Sequence, residues 1–195
     1  MDIRTDEITN ETVIDKWNTI SPRPAPKLKS VAVNPKTTAL LILDIENSIC
    51  KNPPCISSIP AIKKLLTEAR RNGMMVIYSL IPMGTPQDIN RQIAPLPGDS
   101  IVKSNVDKFY QTNLEEILRK NGIRTVIVTG YAANGAVLHT ATGAAIRGLN
   151  VIVPVDCMSA DNPYAEQYTA WHMLNAPGTR NQAVLTKVNL ISFLP

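Results

Sequence analysis

Short, almost wholly apolar runs alternate along this chain with stretches whose apolar residues recur every three or four positions, which predicts strands and helices in turn. TTALLILD (37–44) reads as a strand covered on both faces, with Asp44 at its C-terminal end. Ile59, Ile62, Leu65, Leu66 and Ala69 then follow at helical spacing, Gly73 stands at the stop position, and MMVIYSLI (74–81) is a second strand. Thr112 and Glu115 have the spacing of a capping box, ahead of a helix buried through Leu114, Ile117 and Leu118 and ended by Gly122. TVIVTG (125–130) is the next strand, followed by a helix of mostly small residues over 134–147 that Gly148 terminates. NVIVPVD (150–156) again ends in an acid, Asn162 and Pro163 open a helix running to about Leu174, and AVLTKV (183–188) closes the series.

Strands alternating with helices define an α/β protein. The expected architecture is a three-layer, Rossmann-like fold with a mainly parallel sheet of about six strands and helices on both faces. Residues 1–36 carry Pro22, Pro24, Pro26 and Pro35 and little periodicity, so they read as an extended N-terminal arm, with 37–195 forming one domain. The stretch 82–98 holds four prolines and two glycines, too broken for a helix and long for a plain connection, as expected of an active-site cover.

Composition narrows the partners. Charged residues are 18% of the chain and the net charge of +4 is dispersed, which argues against nucleic acid. No apolar run approaches the ~20 residues of a membrane span, and the first 30 residues hold acids and prolines where a signal peptide needs an apolar stretch. A cytoplasmic protein is the expectation. Cys50, Cys55 and Cys157 make an odd count with no Cys-x-x-Cys pair, and in a reducing compartment Cys50 and Cys55 are expected to stay unpaired.

In open parallel sheets, ligands bind beyond the C-terminal ends of the strands. Asp44 and the segment 130–136 both fall there, and Lys103 follows the long loop after a third strand. An acid at such a place caps a helix, pairs with a cation or works in catalysis, because burying it alone is costly. Judged alone, Lys103 reads more readily as a surface charge than as a site residue. His139 stands three residues after Ala136 on the expected helix, where a packing role competes with a catalytic one. Neither His139 nor His172 has a partner at metal-ligand spacing, and no glycine-rich nucleotide signature is present, so neither a metal nor an organic cofactor is expected.

Three segments in order carry a family resemblance: TALLILDIENS, IVKSNVDKFYQTNLEEIL and VIVTGYAANGAVLHTATGAAIRGLNVIVPVD. Together they resemble the isochorismatase-like (cysteine) hydrolases over about residues 38–190. The resemblance implies Asp44 as the catalytic acid, Lys103 in the lysine position and Phe109 as a characteristic aromatic. It also implies a non-proline cis peptide at Tyr131–Ala132, and it puts Ala136 where the family carries its nucleophilic cysteine. Glu46, Asn47, Phe109, Tyr131, Ala132 and Asn134 are the expected substrate contacts.

A methyl group cannot attack a carbonyl, so the expected activity is hydrolysis of a small carboxylate-, amide- or vinyl-ether-type metabolite without a thiol. Asp44 would be general acid or base, Lys103 would hold charge, and water would be the nucleophile. The alternatives are an inactive metabolite-binding or scaffold member, or a form in which the cysteine of an active amidohydrolase has been replaced. The resembled family commonly assembles, and the proline-rich arm has little of its own chain to bury against, so a homo-oligomer is expected.

Overall fold

The structure is a computed structural model that describes residues 11–195. Its strands and helices follow one another as β1 (Val31–Val33), β2 (Thr38–Leu43), α1 (Pro53–Arg71), β3 (Met75–Leu80), β4 (Ser100–Lys103), α2 (Leu114–Lys120) and β5 (Thr125–Tyr131). They continue as α3 (Leu138–Ile146), β6 (Asn150–Pro154), β7 (Met158–Ser159), α4 (Pro163–Asn175), β8 (Ala183–Thr186) and β9 (Ile191–Phe193). The main sheet has the order β4-β3-β2-β5-β6-β8, with the short β7 paired to β5, and every pairing in it is parallel. It is the expected α/β fold, enlarged by β7.

Alternation along β2 shows how the sheet is buried on both sides. Ala39, Leu41 and Leu43 face a core built with Leu114 and Leu118 of α2, Ala141 and Ala144 of α3 and Met173 of α4. Leu40 and Ile42 face the other way, into a core built with Ile59, Ile62, Leu65 and Leu66 of α1. A strand between two such layers has no polar face, which is why its sequence reads as a continuous apolar run.

Local chemistry explains most helix ends. Asn52 caps α1, its side chain accepting from the Cys55 N–H at 2.8 Å, and the prolines at 53 and 54 occupy first-turn positions whose N–H groups have no partner inside the helix. Asn162 caps α4 in the same way, accepting from the Tyr164 N–H at 2.9 Å ahead of Pro163. The capping box expected at Thr112 does not form. Helix α2 begins one residue later, behind Asn113, and the Thr112 hydroxyl instead donates to the Lys108 carbonyl at 2.5 Å.

Three further differences have physical reasons. The end of the arm is part of the fold, because Val31–Val33 pairs in parallel with Ile191–Phe193 and Val33 is buried. β4 is an edge strand of four residues, too short and too partially buried to stand out as an apolar run. Cys50 and Cys55 form a disulfide, since the first turn of α1 brings their Cα atoms to 5.4 Å. The expectation of free thiols came from a presumed reducing compartment and not from geometry. No helix among the described residues is long and apolar enough to cross a membrane.

Candidate active site

The sheet order reverses between β2 and β5: β3 and β4 extend it on one side, β6 and β8 on the other. Crevices beyond the strand ends open at such a switch point. Leu43 is in register with Gly130, so Asp44, the first residue beyond β2, lies beside Tyr131, the last of β5. Contact there is close, for a Cβ on Gly130 would lie 2.0 Å from the Leu43 carbonyl oxygen, and Gly130 has φ +126°. Only glycine fits that position.

Asp44 itself has φ +53°, a left-handed conformation that is uncommon outside glycine and costly enough to need enforcement by the surroundings. Its carboxylate is buried. One oxygen accepts from the Ser79 hydroxyl at 2.6 Å, and the other meets the Lys108 ammonium at 2.7 Å. Lys108 is fully buried, and its ammonium also donates to the Ser104 carbonyl at 2.8 Å and to the Asn105 carbonyl. Burial pushes the Asp44 carboxyl above its ordinary value, opposed by Lys108 and by the Ser79 hydrogen bond.

The ammonium beside Asp44 therefore belongs to Lys108, not Lys103. Lys103 is the last residue of edge strand β4, where its side chain is exposed, and it borders an open groove with Gln111, Thr112 and Arg119. Alternation turns Val102 into the core and Lys103 outward, and the loop that follows returns Lys108 to the interior. Sequence reading missed Lys108 because a fully buried lysine leaves no mark in composition or periodicity. It also missed Ser79, whose signal was a lone hydroxyl near the end of an apolar strand.

Glu46 is buried, with one oxygen accepting from the Ile81 N–H at 2.7 Å and the other, Oε2, without a hydrogen-bond partner. Burial raises its carboxyl above the ordinary value, and Asp44 and Asp88 add to the shift. The 82–98 segment is pinned here: Glu46 bridges to Ile89, the Asn47 N–H donates to the Asp88 carbonyl at 2.7 Å, and the Asn90 N–H donates to the Ile45 carbonyl at 3.0 Å. A Cβ at Gly84 would come within 1.9 Å of Glu46 Oε2, so any side chain there would have to displace the buried Glu46 carboxyl.

On the β5 side the Tyr131–Ala132 peptide is cis, and a wide turn over Ala133–Val137 leads into α3. Ala132 is partly buried, Ala133 and Ala136 are buried, and Asn134 is exposed. The Ala132 carbonyl accepts from the N–H groups of Gly135 at 2.9 Å and Val137 at 3.2 Å. His139 points into solvent. Phe109 packs against Gly143 of α3 with the Arg147 guanidinium 4.4 Å above its ring, so its surroundings are those of a core residue. Asn47 is exposed. No group of three or more His, Cys, Asp or Glu residues suited to a metal occurs among the described residues.

A parallel α/β domain with a buried acid–ammonium pair at its switch point defines the class of the molecule. The chain belongs to the isochorismatase domain family, which matches residues 38–187. It is 29% identical over 162 residues to the isochorismatase family protein YaaI of Bacillus subtilis, covering 70% of this chain and 88% of that protein. It is 36% identical over 114 residues to N-carbamoylsarcosine amidase of an Arthrobacter species, covering 55% of this chain but only 43% of that enzyme. The crystal structure of N-carbamoylsarcosine amidase from Thermoplasma acidophilum superposes with a TM-score of 0.67 at 25% identity, covering 78% of this chain and 97% of that one.

Proposed function

We propose that this protein is a hydrolase of a small carboxylate-, amide- or vinyl-ether-type metabolite that works without a cysteine nucleophile. The observation that carries the reading is the buried Asp44–Lys108 pair at the switch point, beside the turn that contains the buried Ala136. The absence of a thiol from the mechanism follows from reading Ala136 as the counterpart of the family's cysteine. A carboxyl whose burial favours the protonated form is suited to give a proton to the vinyl carbon next to the ether-bearing one, or to a leaving nitrogen. Lys108 then stabilises the carboxylate left behind. Water adds to the electrophilic carbon and returns a proton to Asp44. The adduct then collapses to a carbonyl as its carbon–oxygen or carbon–nitrogen bond breaks and the alcohol or amine leaves. Amides of the 131–136 turn are the candidates to cradle the substrate oxygen. The chain's own relatives support hydrolysis, since they include an amidase by name.

The test is turnover of vinyl ethers, amides and ureides by the purified protein and by Asp44→Asn, which keeps a side chain tolerant of positive φ. Turnover abolished in Asp44→Asn is expected. No turnover with any of the three, or equal turnover by the variant, would overturn the reading.

A second reading has its own observation. Both Asp44 oxygens and three donor contacts of Lys108 are engaged by protein atoms, the pattern of a structural ion pair in a non-catalytic metabolite binder. Thermal stabilisation by such a metabolite without product formation would favour it. Under either reading a homo-oligomer is supported by the exposed apolar side chains of Val13, Ile14, Trp17 and Ile20 on the arm.

A further inference from the structure

Three loops that leave the C-terminal edge of the sheet meet at one phenol. The Tyr131 hydroxyl donates to Asp161 Oδ1 at 2.8 Å and accepts from the Asn52 side-chain amide at 3.0 Å, and Asn52 also donates to Asp161. Asn52 follows β2, Tyr131 ends β5 and Asp161 precedes α4, so these contacts join segments 79, 109 and 30 residues apart in sequence. Asn52 lies inside the small loop closed by Cys50–Cys55, and the Cys50 N–H is tied back to the Glu46 carbonyl at 2.8 Å. The side chain that grips Tyr131 is therefore held from both sides.

We propose that Asn52, Asp161 and the Cys50–Cys55 disulfide form a clamp on Tyr131 that positions the 131–136 turn, and that reducing the disulfide loosens the turn without unfolding the domain. Asn52 and Asp161 act as positioning residues, through Tyr131. The proposal rests on the reading of this turn as part of the site, but its test measures the turn itself and not turnover, so the two fail separately.

Opening the bond needs a dithiol, which gives two electrons and two protons to the sulfur–sulfur bond, leaves Cys50 and Cys55 as thiols and departs as its own cyclic disulfide. Residues 50–54 then regain the freedom that the cross-link removed. The body of α1 stays in place because Ile59, Ile62, Leu65 and Leu66 hold it in the core.

The experiment is hydrogen exchange of the Gly135 and Val137 amides, both bonded to the Ala132 carbonyl, in the oxidised protein, after dithiothreitol, and in Cys50→Ser/Cys55→Ser, Asn52→Ser and Asp161→Asn. Serine at 52 can still cap α1 but has no amide to reach Tyr131. Exchange about tenfold faster in all four altered states, with β6 amides unchanged, is expected. As a spectroscopic check, the Tyr131 titration, read as the absorbance difference from Tyr131→Phe, should move up on reduction and in Asn52→Ser, since burial and Asp161 push that phenol above its ordinary value and the Asn52 hydrogen bond opposes them. Unchanged exchange in Asn52→Ser and Asp161→Asn would overturn the clamp. Faster exchange in those two but not on reduction would overturn its redox dependence, and loss of protection throughout β6 would show that the disulfide holds the whole domain instead.

Discussion

Lys103 and Lys108 are five residues apart and live in opposite environments. Lys103 ends the outermost strand and faces solvent, whereas Lys108 is fully buried against Asp44 near the middle of the sheet. Moving an ammonium from water to the interior costs several kcal/mol unless its donors are satisfied, and here a carboxylate and two carbonyls do so. The same side chain is thus dispensable at one position and structurally committed at the other. The lesson concerns strands and loops: an edge strand displays alternate residues to solvent, and a loop returning over the strand ends can carry a charge inward.

The sharpest way to break this contrast is Lys108→Met, which strands a buried Asp44 and should cost about 3–5 kcal/mol in urea unfolding. Gly84→Ala comes next: its methyl would collide with Glu46 Oε2, and overpacking of that kind costs about 1–3 kcal/mol, read in the same assay. Glu46→Gln probes the pH axis. A buried carboxyl whose folded value is raised binds its proton more tightly when folded. It therefore contributes stability that is present below the ordinary carboxyl range and is lost as pH rises through the raised folded value. Unfolding midpoints followed from about pH 4 to about pH 8 should fall less steeply in Glu46→Gln than in the parent protein. Smallest of all, Lys103→Ala should change stability by less than about 0.5 kcal/mol. If Lys103→Ala proved as damaging as Lys108→Met, the assignment of the buried ammonium would be wrong.

Much of the fold was legible because apolar runs mark strands that are covered on both faces. β2, β3, β5, β6 and β8 all announce themselves in this way, and Asp44 is conspicuous as the acid that stops the first of them. β1 and β9 did not, since each has three residues and they pair across most of the chain, where no local pattern can reveal them. The start of α1 was hidden by Pro53 and Pro54, which look like loop residues until Asn52 is recognised as the cap. On the site, the acid and the turn over 131–136 could be placed from strand ends alone. Lys108 could not: the family resemblance put Lys103 in the lysine position, and which way a loop side chain points depends on packing that no short segment encodes.

The β1–β9 ribbon has a practical corollary. Both of its strands lie outside residues 38–187, the span that matches the family. A fragment cut at either boundary alone would leave a three-residue strand with its hydrogen-bonding edge bare, a ready template for sticking to other chains. Anyone trimming this protein for expression should remove the two ends as a pair, or keep them both.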